Sequence, residues 1–347
     1  MRKFKILTYL FCRSIGLFKL AHFVTRKNLK ILCYHGFEID DETSFRPKLF
    51  IRQSDFERRI KTIHRHGYTV LKLGEAIEKL YSGTLPDNSA VITIDDGFYS
   101  VAKIAAPVLS RHQLPATVYA TTYYVENNNP IFRLSIQYIF WKTTKNNIIL
   151  LDTPWGKMEQ CDLSINDARE QLAWKFIDHG EKECSESQRI EVCKSLGRQL
   201  DVDYDNIIES GILRLMTLNE LESLSSYNID IELHTHRHTF PPDSYIDAKR
   251  EIDDNRNALK DLAPKDFVHF CYPSGYWEEK QWEWLESFGV VSATTCLPGL
   301  NSQHTPRHAL RRFLDGANIH QLEFEANLCG FADIIRDNVA RLRSTLK

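Results

Sequence analysis

One short apolar run places strong limits on the fold of this chain of 347 residues. Residues 90–94 are all apolar or β-branched, without the alternation of a strand that has one exposed face. Such a run predicts a strand buried on both faces, as in the centre of a parallel sheet. Two carboxylates and a glycine, Asp95, Asp96 and Gly97, follow it directly. We therefore expect polar chemistry where this strand ends.

Strand-like and helical segments alternate along most of the chain. Capping boxes at Ser54 and Thr217 each indicate the start of a helix. The alternation predicts a mostly parallel sheet with helices outside it, either open or closed into a barrel. In both arrangements, active sites lie at the carboxyl ends of the strands. The predicted strands are 30–35, 68–71, 90–94, 116–121, 229–233, 267–271 and 290–295, and the later predicted helices are 247–262, 282–288 and 321–342.

The alternation fades between about residues 126 and 215, where charged segments with helical character follow one another. We interpret this stretch as a mainly helical insertion in a single catalytic domain of residues 30–347. Residues 1–29 precede that domain and differ from it in composition.

Composition excludes some classes of partner. The chain is 43% hydrophobic and 26% charged with a net charge of −2, which gives no reason to expect nucleic acid. Its eight cysteines contain no Cys-x-x-Cys pair, so neither a zinc ribbon nor a redox motif is indicated. Scattered cysteines in a chain of this size are typical of buried thiols in a reducing compartment.

The N-terminal segment is basic and apolar. Eight Lys and Arg residues occur before the first acidic residue, Glu38. Arg13 and Lys19 interrupt the apolar run, so it is too short for a transmembrane span. No small-x-small cleavage site follows it, so a signal peptide is not indicated. Two interpretations remain: a basic amphipathic helix on an anionic membrane surface, or a helix packed on the protein with solvated charges. The first predicts a cytoplasmic protein at the inner face of the membrane.

A second segment carries metal-binding potential. His234 and His238 are four residues apart after the strand 229–233, and His236 between them competes as a ligand. Together with Asp95 and Asp96 they supply oxygen and nitrogen ligands for a divalent metal, and one carboxylate remains as a base. The alternatives are a solvated histidine loop and an ordinary Asp-Asp-Gly turn.

The motifs taken together resemble the polysaccharide deacetylase family, also called carbohydrate esterase family four. The resemblance covers most of the chain outside the insertion. Four segments in the family's order carry it: Tyr34-His35, Thr93-Ile94-Asp95-Asp96-Gly97, His234-Thr235-His236-Arg237-His238 and Phe270-Cys271-Tyr272-Pro273-Ser274-Gly275.

The resemblance implies a distorted (β/α) barrel and a hydrolase. The implied reaction removes the acetyl group from an N-acetylated sugar of a surface polysaccharide or its lipid-linked precursor. Asp96, His234 and His238 would hold one divalent metal ion, usually zinc. Asp95 would be the general base that takes a proton from the attacking water.

The chain departs from the family in two places. Cys271 stands where many members carry an arginine that orients the base, and Arg311 or Arg312 is the predicted replacement. No Leu-x-His tripeptide, the usual source of the general acid, follows the last strands. One branch of the family uses its N-terminal histidine instead, which indicates His35. The alternative for His35 is a strand-end histidine bonded to a backbone carbonyl.

The third motif also supplies substrate-side candidates. The backbone amide of Tyr272 is a predicted partner for the oxyanion, and Pro273 and Trp277 are assigned to the same side of the site. The rings of Tyr272 and Trp277 are equally suited to stacking on a sugar or to filling the core.

Two other functions compete with a deacetylase. Two histidines and a carboxylate also form the iron site of non-haem oxygenases. The two departures from the family pattern also fit a catalytically inactive glycan-binding protein on the same scaffold. The sequence leaves the sugar, its linkage and the oligomeric state open.

Overall fold

The computed structural model describes residues 2–127, 129–262 and 266–345. It contains two compact units, Met1–Glu126 with Met216–Lys347 and Asn127–Leu215. Within the described residues, the strands are β1 Lys30–Tyr34, β2 Gly36–Phe37, β3 Phe50–Ile51, β4 Thr69–Val70, β5 Ser89–Ile94, β6 Ala116–Ala120, β7 Asn147–Thr153, β8 Gly156–Asp162, β9 Ile229–Leu233, β10 His269–Cys271, β11 Ser292–Thr294 and β12 Phe313–Leu314.

Helices connect most of the strands. Those described are α1 Arg2–Ser14, α2 Leu17–Val24, α3 Glu42–Phe45, α4 Gln53–Arg65, α5 Leu73–Ser82, α6 Ala106–Arg111, α7 Thr122–Asn127, α8 Phe132–Lys142, α9 Asn166–Glu183, α10 Glu186–Gln199, α11 Tyr204–Glu209, α12 Leu218–Ser223, α13 Tyr245–Leu259, α14 Lys280–Ser287, α15 Gln321–Leu328 and α16 Phe331–Thr345. A π-helical turn, Val101–Ala105, leads into α6.

The larger unit is built on one curled sheet of eight parallel strands. Its order is β11-β10-β9-β6-β5-β1-β12, and β4 pairs with the first residues of β5. All six residues of β5 are buried, because β1 and β6 flank it and helices cover the sheet. The predicted central strand and the fold class, a distorted (β/α) barrel, are therefore confirmed.

The curled sheet is a half-barrel whose two edges approach each other. Leu310 forms a single parallel bridge with Thr294 in β11 at one edge. Three residues later the chain enters β12, where Phe313 pairs with Leu32 of β1 at the other edge. The segment 310–314 thus links both edges and brings the carboxyl ends of β1, β5, β9, β10 and β12 together.

Local sequence signals succeeded at some element ends and failed at others. The capping box at Thr217 is present, with reciprocal bonds to Glu220. The one expected at Ser54 is wrong, since α4 begins at Gln53 without a side-chain cap. The predicted closing helix 321–342 is two helices, because Gly330 adopts a left-handed conformation with φ of 76° between α15 and α16.

The smaller unit, Asn127–Leu215, contains α8 to α11 and an antiparallel hairpin of β7 and β8. The sequence indicated the helices but not the hairpin. Ile148 and Leu150 of β7 are buried while Ile149 and Leu151 are exposed, so alternate residues enter the core of the unit. Residues 148–151 are all apolar, which hides that alternation in the sequence.

The N-terminal helices α1 and α2 pack on the C-terminal helices α15 and α16. Tyr9, Phe18 and Ala21 are buried in an apolar cluster with Leu322, Ala326, Cys329, Phe331 and Ala332. No single described helix is long and apolar enough to cross a membrane; α1 and α2 together reach that measure but are bent by 77°.

Candidate active site

The two adjacent carboxylates diverge because the backbone turns between them. Asp95 still belongs to the sheet edge, since its amide donates to the Tyr34 carbonyl at 2.9 Å. Asp96 then adopts φ of 70° and Gly97 φ of 85°. Two successive left-handed residues reverse the chain, and the Gly97 amide closes the turn on the Asp95 carbonyl. Neighbouring side chains thereby enter different parts of one site.

Asp96 meets the two histidines that the sequence singled out. Its Oδ1 lies 3.2 Å from Nε2 of His234 and 3.3 Å from Nε2 of His238. The ligand atoms of all three residues lie within 4.8 Å of one another. The histidines come from the loop after β9 and the aspartate from the end of β5, which are separated by only β6 in the sheet. We call these three residues the metal cluster.

Hydrogen bonds fix the orientation of His234. Its Nδ1 donates to the carbonyl of Cys271 at 2.8 Å, so Nε2 is the ring nitrogen that faces Asp96. Its amide donates to Oδ1 of Asn255 on α13 at 3.0 Å. A histidine whose second nitrogen donates to a carbonyl is the usual arrangement of a metal ligand.

His236 lies outside the metal cluster. Its Nδ1 forms a 2.8 Å hydrogen bond with Thr122, and its Nε2 approaches Glu126 at 4.0 Å. Thr235 and His238 adopt positive φ values of 63° and 56°. These turns place the first and third histidines on one side of the loop and the middle one on the other.

Asp95 forms an ion pair with Arg312 from the segment that leads into β12. Nη1 of Arg312 donates to Oδ1 and Nη2 donates to Oδ2, both at 2.7 Å. Arg312 is fully buried and also donates to Thr93 and to the Thr295 carbonyl. The guanidinium is therefore held rigidly, and both carboxylate oxygens of Asp95 are fixed in position.

Burial and neighbouring charge act in opposite directions on both aspartates. Burial alone raises the pKa of Asp95, but the charge and hydrogen bonds of Arg312 outweigh it and lower the pKa to about 2. Burial also raises the pKa of Asp96, yet hydrogen bonds from His234 and His238 bring it well below its ordinary value. Both carboxylates are ionised at neutral pH, as a metal ligand and a proton acceptor must be.

The structure separates the two arginine candidates. Arg312 reaches Asp95, whereas Arg311 is exposed, with its side chain against Gly299. Successive residues of an extended segment face opposite ways, so only one of the pair can enter the barrel. The small side chain of Cys271 fits beside the ion pair: its Sγ lies 3.1 Å from Nη2 of Arg312 and 3.4 Å from Oδ2 of Asp95.

His35, the candidate acid, lies beside the base. Its Nε2 is 3.7 Å from Oδ2 of Asp95, and its side chain is 11% exposed to solvent. Cys33 also contacts Oδ2 of Asp95, at 3.5 Å. Two other histidines near the C-terminal end of the chain lie elsewhere: His308 is buried against the Val290 carbonyl, and His320 caps α15.

Two assignments from the third motif differ from the structure. The Tyr272 amide donates to the Thr294 carbonyl at 3.3 Å, so it is not directed at an oxyanion. Tyr272 is 1% exposed and its hydroxyl donates to the His308 carbonyl, so its ring is core rather than a sugar platform. Pro273 is buried as well, at the start of a 3-10 turn.

Trp277 is half-buried, with its ring stacked between Tyr272 and Trp282 at 6.1 and 5.5 Å. Tyr276 beside it is 81% exposed. An aromatic surface at this end of the barrel is therefore provided by Tyr276 and Trp277 rather than by Tyr272.

Comparison with known proteins identifies the class that this fold and site define. The family model described as polysaccharide deacetylase matches residues 205–293, which contain both histidines of the metal cluster and the third motif. No curated protein sequence matches the chain. Residues 205–293 are therefore similar to the polysaccharide deacetylase family, and the resemblance drawn from the motifs is confirmed.

Several solved deacetylase structures have a similar fold. Streptococcus pyogenes deacetylase PplD, in complex with acetate, is 14% identical with a TM-score of 0.58, over 87% of this chain and 98% of that one. IcaB from Ammonifex degensii is 14% identical with a TM-score of 0.54, over 88% and 97%. A de-N-acetylase from Aggregatibacter actinomycetemcomitans is 12% identical with a TM-score of 0.54, over 86% and 99%. At these identities the likeness establishes the fold, while the family match supports a hydrolase of the deacetylase type.

Proposed function

We propose that this protein is a metal-dependent enzyme that removes the acetyl group from an N-acetylated sugar. The observation that carries the proposal is the direct adjacency of the metal cluster and a fixed carboxylate. His234 belongs to both groups, because its nitrogen lies within 4.8 Å of ligand atoms of Asp95 as well as of Asp96. A hydrolytic base and a site for a Lewis acid therefore share one edge of the barrel.

The donor set fits a divalent ion. One carboxylate and two imidazoles, one of them oriented by a backbone carbonyl, leave open coordination positions, as catalytic zinc sites do. We propose zinc as the ion. When bound, it would polarise the acetyl carbonyl and lower the pKa of a water molecule, so that the water gives up a proton more readily.

The remaining steps belong to side chains of this chain. Asp95 takes the proton of the attacking water, since it is ionised and held by Arg312 at a defined angle. His35 gives a proton to the departing amine, since its Nε2 lies in the same site, 3.7 Å from Asp95. The amide carbon–nitrogen bond breaks, and acetate and a free amino sugar leave.

The substrate we propose is a surface polysaccharide or its lipid-linked precursor. Support comes from the matched family and from the solved structures with this fold, whose names describe polysaccharide deacetylases and a de-N-acetylase. Tyr276, which is 81% exposed, supplies an aromatic face on which a sugar ring stacks.

The test measures metal and reaction in the same samples. The purified chain, Asp96→Ala and His238→Ala are analysed for metal content and for acetate and free amine released from N-acetylglucosamine oligomers. We expect about one ion per chain and acetate release in the wild type, and loss of both in the two variants. His236→Asn is the matched control: it changes the histidine of the same loop that lies outside the metal cluster, and it retains both.

Other results would assign the chain differently. A wild type that binds these sugars and metal but releases no acetate would be the inactive glycan-binding protein. Oxygen uptake with bound iron would indicate a non-haem iron enzyme. Arg312 weakens the case for inactivity, because it supplies the base contact that the missing arginine of the third motif would provide.

A further inference from the structure

Exposed apolar side chains are concentrated in α1 and α2. Of the 22 large hydrophobic residues exposed in the described part of the chain, eight lie between residues 4 and 24. They include Phe4, Leu7, Phe11, Leu20, Phe23 and Val24, with exposures from 58 to 77%. Scattered exposed hydrophobic residues are normal, but a contiguous group is typical of a surface that a membrane or another molecule covers.

The two faces of α1 have different roles. The inner face is attached to the protein: Tyr9 is buried, Lys5 pairs with Glu323 at 2.9 Å and Arg13 pairs with Glu325 at 2.9 Å. The outer face carries Phe4, Leu7 and Phe11, whose spacing of three and four places them in one stripe. The cations of the inner face are engaged with acidic partners, so the outer face is mainly apolar.

Positive charge borders this apolar stripe. Lys3, Lys19 and Lys27 are exposed on the same two helices and the turn after them. No acidic residue occurs before Glu38, so nothing within this segment opposes their charge. An apolar stripe with a cationic rim is complementary to a bilayer of anionic phospholipids, whose headgroups attract lysine while the acyl chains accept Phe and Leu.

We propose that α1 and α2 form a docking surface for an anionic phospholipid bilayer, with the outer stripe inserted at the level of the headgroups. The pair lies on the membrane rather than across it, because its inner face is packed on α15 and α16 and cannot face lipid. The bend of 77° between α1 and α2 also suits two short helices in the interface plane. This surface does not depend on the proposed enzymatic activity.

The test is co-sedimentation of the full chain with vesicles of phosphatidylcholine, with and without phosphatidylglycerol. We expect binding to the anionic vesicles that weakens with added salt, and release by alkaline carbonate. Phe4→Ala/Phe11→Ala/Leu20→Ala should weaken that binding by more than about tenfold, because three inserted side chains return to water. Lys3→Gln/Lys19→Gln/Lys27→Gln should remove the preference for anionic lipid.

The matched control is Ile149→Ala/Leu151→Ala/Ile246→Ala, which removes three exposed apolar side chains elsewhere and should bind like the wild type. All variants change exposed side chains, so thermal unfolding should show them folded. Wild-type binding by the first variant overturns the proposal. So does resistance to carbonate, which would indicate a spanning segment, or a dimer in solution that the first variant abolishes, which would indicate a second copy as the occupant.

Discussion

Arg312 and Asp95 form a fully buried bidentate ion pair, with two hydrogen bonds of 2.7 Å between residues 217 positions apart in the chain. The pair joins the segment before β12 to the end of β5. From the segment before β12, Arg312 supplies the contact to the base for which Cys271, in the third motif, has no suitable side chain. The candidate base is therefore held by an arginine, although that arginine lies in another part of the chain.

Replacing Arg312 should impair activity and stability together. In Arg312→Ala, Asp95 remains as a buried charge without its partner, which costs about 3–5 kcal/mol of the free energy of unfolding. Arg312→Lys keeps the charge but loses the parallel pair of bonds, so acetate release should fall about ten- to a hundredfold with a smaller loss of stability. Thermal unfolding and acetate release measure the two effects.

Arg311→Ala is the control for Arg312, since the neighbouring side chain is exposed and lies away from Asp95. The double variant Arg312→Met/Asp95→Asn removes both charges and should recover stability but not activity. If Arg312→Lys were as active as the wild type, the arginine would serve only to hold the strands together.

Asp95→Asn should abolish acetate release and keep the metal. The amide retains the shape of the carboxylate but cannot accept the proton, and loss of a general base lowers rates about 10²- to 10⁴-fold. Metal content and acetate release are measured on the same preparation, beside Asp96→Asn, which should lose the ion. Loss of metal from Asp95→Asn would contradict its assignment as the base.

His35→Gln should slow the departure of the leaving group, because the side chain that protonates it is lost. Protonation matters for an amine that departs from an N-acetylated sugar and little for a phenolate that departs from an aryl acetate. We therefore expect a rate loss of about a hundredfold or more on the sugar and a much smaller loss on the ester. Equal losses on both substrates would show that His35 supports Asp95, 3.7 Å away, instead of donating the proton. His304→Gln, an exposed histidine, is the control.

Lys30 should make the free energy of unfolding depend on pH in the alkaline range. It is fully buried at the start of β1, and burial lowers its pKa from 10.5 to about 8. Between these values the unfolded chain binds the proton and the folded protein does not, so this residue's contribution to the free energy of unfolding rises with pH. The full change across the window is about 3 kcal/mol.

Urea unfolding of the wild type and Lys30→Met from pH 7 to pH 10.5 measures this contribution. The stability difference between them should shift in favour of the wild type as pH rises, whatever constant term the lost hydrogen bonds to Thr25 and Asn28 add. Lys61→Met, at an exposed position of α4, should show no such trend. A difference independent of pH would mean that Lys30 stays charged in the fold.

Several parts of the fold could be predicted from local pattern. The strands β5 and β6 are almost continuous runs of apolar or β-branched residues, while β9 alternates apolar with acidic residues. All three are buried because they have sheet neighbours on both sides. The strands β2, β3 and β12 have only two residues each and leave no periodic signal. The hairpin β7–β8 was missed because the apolar run 148–151 is short and its partner strand β8 is mostly polar.

Some residues of the candidate site could likewise be predicted from the sequence, and others could not. The metal cluster could be predicted, because Asp96 directly follows one predicted strand and two histidines four residues apart follow another. The middle histidine could be assigned only by the backbone turns at Thr235 and His238, since all three imidazoles look alike in the sequence. The Tyr272 amide was assigned wrongly to the substrate because sequence does not show which amides the sheet has already paired.

The sequence by itself determined the alternating architecture, the family resemblance, the adjacent carboxylates and the pair of histidines, because each depends on residues close together in the chain. Only the tertiary structure decided between Arg311 and Arg312, placed His35 beside Asp95 and directed the outer stripe of α1 away from the protein. Those outcomes depend on which strand lies next to which and on which side of a strand or helix faces the core, and distant segments settle both.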